Sequence, residues 1–148
     1  MIPNSFFVLI VDPDPASSEA WRVAVPLAKM DRQVYGVQSA TQAIEYVLKV
    51  RRSPSLSTPG VVMVQSNRSL ESLSVIGHWL RTQENLCWVA PIALVDARGR
   101  DDFAEYYAAG ARSCLPSPEC IEERVSVLSE VRKYWQGLNV WPNPERYG

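Results

Sequence analysis

A chain of 148 residues with 47% apolar and 21% charged side chains has the composition of one folded unit, large enough to bury roughly two-thirds of its unfolded surface in a single core. A formal net charge of −1 removes the broad electrostatic case for nucleic acid or an anionic membrane surface, since both need clustered Lys and Arg and the Arg51-Arg52 pair is too short to supply it. Cys87, Cys114 and Cys120 form an odd set without C-x-x-C spacing, which signals neither a disulfide framework nor a zinc site and fits a soluble protein in a reducing cytoplasm.

The apolar run Phe6 to Val11 has no basic leader and meets Asp12 at once, so it is expected to be neither a signal peptide nor a membrane span. Bounded by the turn-like Asp12 to Pro15, it reads as a strand buried on both faces, as in parallel sheets. A helix follows from Ala16 to Lys29, with Pro26 expected to kink or shorten its last turn. Val34 to Ser39 reads as a short strand. From Thr41, a plausible N-cap, Ala43, Ile44, Val47 and Leu48 share one helix face. Ser53 to Gly60 has the Pro, Ser and Gly content of a loop, and Val61 to Val64 is a strand running into Gln65. Leu70, Leu73, Ile76 and Leu80 recur at helical spacing before the buried strand Trp88 to Val95. Asp101 and Asp102 suit the first turn of a short helix ending at Gly110. Arg112 to Leu115 is a short strand, Pro118 to Gln136 the final helix, and 138–148 a tail in which Trp141 either packs back on the body or serves in docking.

Strand and helix thus alternate five times, which argues for an α/β three-layer sandwich on a five-stranded parallel sheet. Function in such sheets gathers at the carboxyl ends of the strands, here near Asp12, Ser39, Gln65, Asp96 and Ser117.

The acidic turn after the first strand, the Pro opening the fourth strand and Gly110-Ala111 before the fifth together resemble the receiver domain of two-component response regulators. The resemblance spans about Phe6 to Gln136, places a receiver-like domain at 1–137, and implies a flavodoxin-like (βα)5 sheet of strand order 2-1-3-4-5. A working receiver keeps two acids after the first strand, a phosphate-accepting Asp after the third, a Thr or Ser after the fourth and Lys-Pro after the fifth. Asp12 matches the first acid, with Asp14 two residues on, but Pro13 stands where the second acid, usually the magnesium ligand, would be. Gln65 occupies the phosphoacceptor position, Asp96 replaces the hydroxyl residue, and Ser117 replaces the lysine while Pro118 is kept.

Each change has a chemical consequence. An amide at neutral pH is a far poorer nucleophile toward phosphorus than a carboxylate, so Gln65 is expected not to be phosphorylated. Magnesium needs hard oxygen ligands in near-octahedral geometry, and Pro13 and Gln65 remove two of them. Ser117 carries no cation for a phosphoryl group, and Asp96 is expected to repel one. Two states of the pocket stand open: a fixed hydrogen-bonded cluster in which the Gln65 amide donates to a carboxylate, or a drifted pocket filled by water.

The reading is therefore a stand-alone pseudo-receiver, with no enzymatic role, no cofactor and no metal, that binds a protein partner such as a regulator or kinase-pathway component. The alternative keeps a weak cation or phosphate site at Asp12, Asp14 and Asp96. By the resemblance, Cys114 takes the place of the aromatic switch residue, and Ser117-Pro118 keeps an X-Pro bond that is cis in the family. The partner or homodimer surface is expected on the fourth helix, fifth strand and last helix, with Tyr106, Tyr107, Arg112, Glu122, Glu123, Arg124 and Arg132. His78 reads as a surface histidine, and no nucleic acid or membrane partner is implied.

Overall fold

The computed structural model describes residues 7–52, 60–86 and 89–138. Its core is one sheet of five parallel strands, β1 (Val8–Val11), β2 (Val34–Val37), β3 (Val61–Gln65), β4 (Ala90–Val95) and β5 (Ser113–Pro116), in the order β2-β1-β3-β4-β5. The helices are α1 (Pro15–Leu27), α2 (Ala40–Arg52), α3 (Glu71–Arg81), α4 (Ala104–Ala108) and α5 (Ile121–Arg132), the last continuing into a π-helical segment at Lys133–Leu138.

Successive residues of a strand point to opposite faces, so a strand covered on both sides feeds two cores. Val8 and Ile10 of β1, Val61 and Met63 of β3, and Ile92 and Leu94 of β4 pack with Trp21, Ala24 and Leu128 from α1 and α5. Their neighbours Leu9, Val11, Val62, Val64, Ala93 and Val95 pack with Ala43, Val47, Leu73, Ile76 and Tyr106 from α2, α3 and α4. Each such side chain withdrawn from water is worth roughly 1.5–3 kcal/mol, and this double cover is why the runs read as continuous rather than alternating.

Local chemistry sets the element ends. The Asp14 carboxylate accepts the Ala16 N–H and caps α1, with Pro15 at its first turn, where a missing N–H costs nothing. Pro26 falls in the last turn, and the helix stops one residue later at Leu27. Lys29 turns the chain out of α1 in the left-handed region at φ 58°, and the Met30 N–H returns to the Val25 carbonyl.

Several sequence expectations shift. The fourth helix starts at Ala104, later than its acidic residues suggested, because the Asp102 carboxylate accepts the Ala104 N–H from outside the helix. The final helix begins at Ile121 rather than Pro118, after Cys120 in extended conformation. Val50 is buried on α2 beside Ala43 and Val47, whereas Ile44 and Leu48 are half-buried. The expected loop at Ser53 to Pro59, Cys87, Trp88 and the tail from Asn139 onward, with Trp141, lie outside the described residues.

α3 crosses the α4–β5 turn at a glycine pair. A Cβ on Gly77 would stand 2.4 Å from the Ala109 carbonyl oxygen, and one on Gly110, itself at φ 119°, would stand 2.9 Å from the Gly77 Cα. Gly36 on β2 meets nothing within 4 Å. In equilibrium urea unfolding, Gly77→Ala is expected to cost about 1–3 kcal/mol through overpacking against backbone. Gly36→Ala should stay within about 0.5 kcal/mol of the parent chain.

Candidate functional site

The strands end together, and their carboxyl ends open into a polar cavity of about 510 Å³ whose walls include Asp12, Asp14, Ser17, Gln65, Arg68, Ser117 and Arg124. Polar side chains collect there because both faces of the central strands are buried and apolar and their ends open toward solvent.

Asp12 is 1% exposed, and both of its oxygens are engaged. Oδ1 accepts the Asp14 N–H at 3.1 Å, and Oδ2 accepts the Ser17 hydroxyl at 2.5 Å. Ser17 Oγ in turn accepts from Arg124 Nη2 at 3.0 Å, so a buried carboxylate and a buried guanidinium, 7% exposed, are linked through one hydroxyl. The Arg124 guanidinium carbon lies 5.4 Å from the Trp21 ring centroid, which gives the cation an electron-rich face. Arg124 Nε and Trp21 Nε1 have no hydrogen-bond acceptor among the described residues.

Gln65 does not reach a carboxylate. Its Nε2 donates to Ser117 Oγ at 2.5 Å, across the end of β4, which lies between β3 and β5 in the sheet. Ser117 is held there by its N–H to the Val95 carbonyl at 2.7 Å. Strand spacing puts β3 and β5 about 10 Å apart. The serine is short, so the long amide provides the reach. The amide's partner is thus a hydroxyl and not a carboxylate.

Asp96 is turned out of the cavity. Its carboxylate accepts the Arg98 Nε at 3.0 Å, Nη2 at 3.2 Å and backbone N–H at 3.2 Å, and the Arg98 side-chain hydrogen bond holds its pKa below the ordinary carboxylate range. Asp12, Asp14 and Asp96 therefore do not converge, and among the described residues no group of three or more His, Cys, Asp or Glu side chains is placed to hold a metal. The receiver fold implies a magnesium ion at these strand ends, and the residues present do not fit one. Pro13 offers no side-chain oxygen, Asp12 has both oxygens taken, and the Gln65 amide is turned to Ser117.

The remaining candidates fall as follows. Cys114 is half-buried, and burial pushes its thiol pKa up while a hydrogen bond with Tyr107 pulls less strongly the other way, which disfavours the reactive thiolate. His78 is exposed. The Ser117-Pro118 bond is trans, since no cis peptide occurs among the described residues. The expected partner face divides. Adjacent helix residues point about 100° apart, so only one tyrosine of α4 can face inward. Tyr106 is that residue, 5% exposed and beneath the Arg100 guanidinium at 5.0 Å, while Tyr107 is exposed. Arg132 donates to the Lys29 carbonyl at the end of α1, away from α4. Arg112, Glu122 and Glu123 are exposed.

From the sequence Ser17 is only a helix-start residue and Arg124 only part of the partner face on the last helix; the structure instead buries Arg124 at the cavity, and a signal for each placement is present. Leu128 and Val131 mark the buried face of α5, and one turn back along that face is Arg124; Trp21 and Ala24 mark the face of α1, and one turn back is Ser17.

Solved structures share this fold. They include a response regulator in red light signaling of R. palustris (TM-score 0.74, 16% identity, covering 93% of this chain and 99% of that one). A response regulator from Hahella chejuensis gives 0.69 at 16% identity over 93% and 100%. The phosphorylated phytochrome response regulator RcpA, a cyanobacterial protein, gives 0.68 at 13% over 93% and 99%. No family model matches the chain, and no curated protein does. The chain has the fold of a response regulator receiver domain.

Replacing Ser17 by Ala removes the hydroxyl shared by Asp12 and Arg124 and leaves two buried charged groups short of a partner, so urea unfolding should show a loss of about 1–3 kcal/mol. Arg98→Ala should raise the Asp96 pKa toward its ordinary value, read from the carboxyl carbon in an NMR pH titration. Because Arg98 lowers that pKa, its favourable effect is present above the ordinary carboxylate pKa and fades as pH falls through the depressed one.

Proposed function

We propose that this chain is a pseudo-receiver: a receiver-fold protein that has lost aspartyl phosphotransfer and acts as a phosphorylation-independent binding module for another protein in signalling or regulation, without catalysing a reaction. The observation that carries this reading is Gln65, an amide in the phosphoacceptor position whose nitrogen is committed to Ser117 Oγ. The absence of a fitting magnesium donor set supports it, since phosphoryl transfer to a receiver relies on that cation.

The solved proteins of this fold are named as response regulators, and the partner class carried over is a regulator or kinase-pathway component. The receiver-like unit is 1–137, with 138–148 as a tail. The binding surface, and the surface for a homodimer, is the α4–β5–α5 face, reduced to Tyr107, Arg112, Glu122 and Glu123 by the placement of Tyr106, Arg124 and Arg132. No helix among the described residues is long and apolar enough to cross a membrane. A cytoplasmic location belongs to the same proposal.

Incubation with acetyl phosphate and magnesium, followed by intact mass measurement, should show no added phosphoryl group. A stoichiometric phosphoryl adduct would end the pseudo-receiver reading. Gln65→Asp should remain unlabelled under the same conditions, because Pro13 and Ser117 still withhold a magnesium ligand and the phosphoryl-pairing cation.

A further inference from the structure

The cavity that lost its phosphorylation chemistry has gained a different set of groups. Arg68 follows β3 and lines the cavity from an exposed position, with no hydrogen-bond or ionic partner among the described residues. Arg124 lines it from α5, 7% exposed, and among the described residues its guanidinium uses a single acceptor, Ser17 Oγ, with Nε left unpartnered. Two cations thus reach one polar cavity from separate elements, one of them buried with donor capacity unspent. Ser72 and Asn67 add neutral groups able to donate to an anion.

The two acids that line the cavity match the two cations in number, but both are engaged with groups of the protein itself. Asp12 has both oxygens occupied, by the Asp14 N–H and the Ser17 hydroxyl, and Asp14 accepts the Ala16 N–H as the cap of α1. Asp96, expected from sequence to repel a phosphate, faces Arg98 in a neighbouring hollow. A buried carboxylate that accepts a hydrogen bond on each oxygen, with the Arg124 guanidinium one hydroxyl away, opposes an anion less than an isolated one would.

We infer that this cavity is a non-covalent, magnesium-independent binding site for a small oxyanion, inorganic phosphate or a phosphate monoester, held by the guanidinium groups of Arg68 and Arg124. Guanidinium forks match the oxygen geometry of phosphate, and charge-assisted hydrogen bonds of this kind are about twice as strong as neutral ones. A volume of about 510 Å³ exceeds what a bare phosphate fills and lies in the range of small-molecule pockets, which favours a monoester with a modest organic body. The inference goes beyond the pseudo-receiver proposal and does not rest on it: no bond is made or broken, and a bound anion would leave the intact mass unchanged.

The test is a titration of the full chain with inorganic phosphate and, separately, ribose 5-phosphate. It is run in EDTA at constant ionic strength against sodium chloride, following backbone amide chemical shifts. Saturable shifts at Asn67, Arg68 and Ser117 with either phosphate probe, absent with chloride, are expected. Arg68→Ala, at an exposed site where folding is not at risk, should weaken that binding about tenfold, the loss of one charge-assisted contact. Arg124→Lys keeps the charge but not the fork and should weaken it as well, with the unfolding midpoint checked alongside. No saturable shift with either probe, a response equal to that of chloride, binding that appears only with magnesium, or affinity unchanged in Arg68→Ala would each overturn the inference.

Discussion

The structure depends on three central strands with no wet face. β1, β3 and β4 are flanked by strands on both sides and covered by helices above and below, so every side chain from Val8 to Val11 and from Val61 to Val64 is buried. A polar group within these runs would lose its hydration without a partner, at a cost of several kcal/mol. The strand ends are where that constraint relaxes, and Asp12, Gln65 and Asp96 each stand at or just beyond the last residue of a strand. The location of the site is thus a consequence of the packing, independent of what the site does.

Within that location, the electrostatics are settled locally. Asp12 is buried far enough that its charge needs compensation, and it receives it from a backbone N–H, a hydroxyl and, through that hydroxyl, Arg124. Breaking a buried charge arrangement from one side is costly, whereas its intact contribution to stability is small or even unfavourable, since two ions have been taken out of water. The relay is better understood as fixing how the first turn of α5 sits against the first turn of α1. Asp96 illustrates the opposite regime: beyond the strand end it is exposed, and Arg98 forms a screened surface pair with it whose weight in stability is slight.

Much of this was legible in the sequence because burial on both faces produces unbroken apolar runs. Val8 to Val11, Val61 to Val64 and Ala90 to Val95 could hardly be anything else, and their alternation with helical periodicity fixes a parallel sheet. The edge strand β2 was readable from its neighbours more than from itself, since Tyr35 and Gly36 are exposed. What escaped were facts about polar side chains, whose partners are chosen in three dimensions. A carboxylate partner for Gln65 was one of two open readings; in the structure Asp12 is bonded to the Asp14 N–H and Ser17, and Asp96 to Arg98. Tyr106 and Tyr107 look alike in sequence, and only the helix phase against the core separates the buried ring from the exposed one.

The pairing of Gln65 with Ser117 has a consequence for switching. In a receiver with an acid and a lysine at these positions, the interaction across the end of β4 joins opposite charges, and adding a phosphoryl group changes the charge on which the loops depend. Here the same span is bridged by two neutral groups in a single hydrogen bond. A neutral bond responds little to proton or ion activity, because neither partner titrates near physiological pH. A two-state element can be biased only by a ligand that interacts differently with its two states. The Gln65–Ser117 bond itself supplies no such differential interaction with protons or metal ions. What the structure places at this crossing is an uncharged bond between two side chains, and its strength is set by geometry rather than by charge.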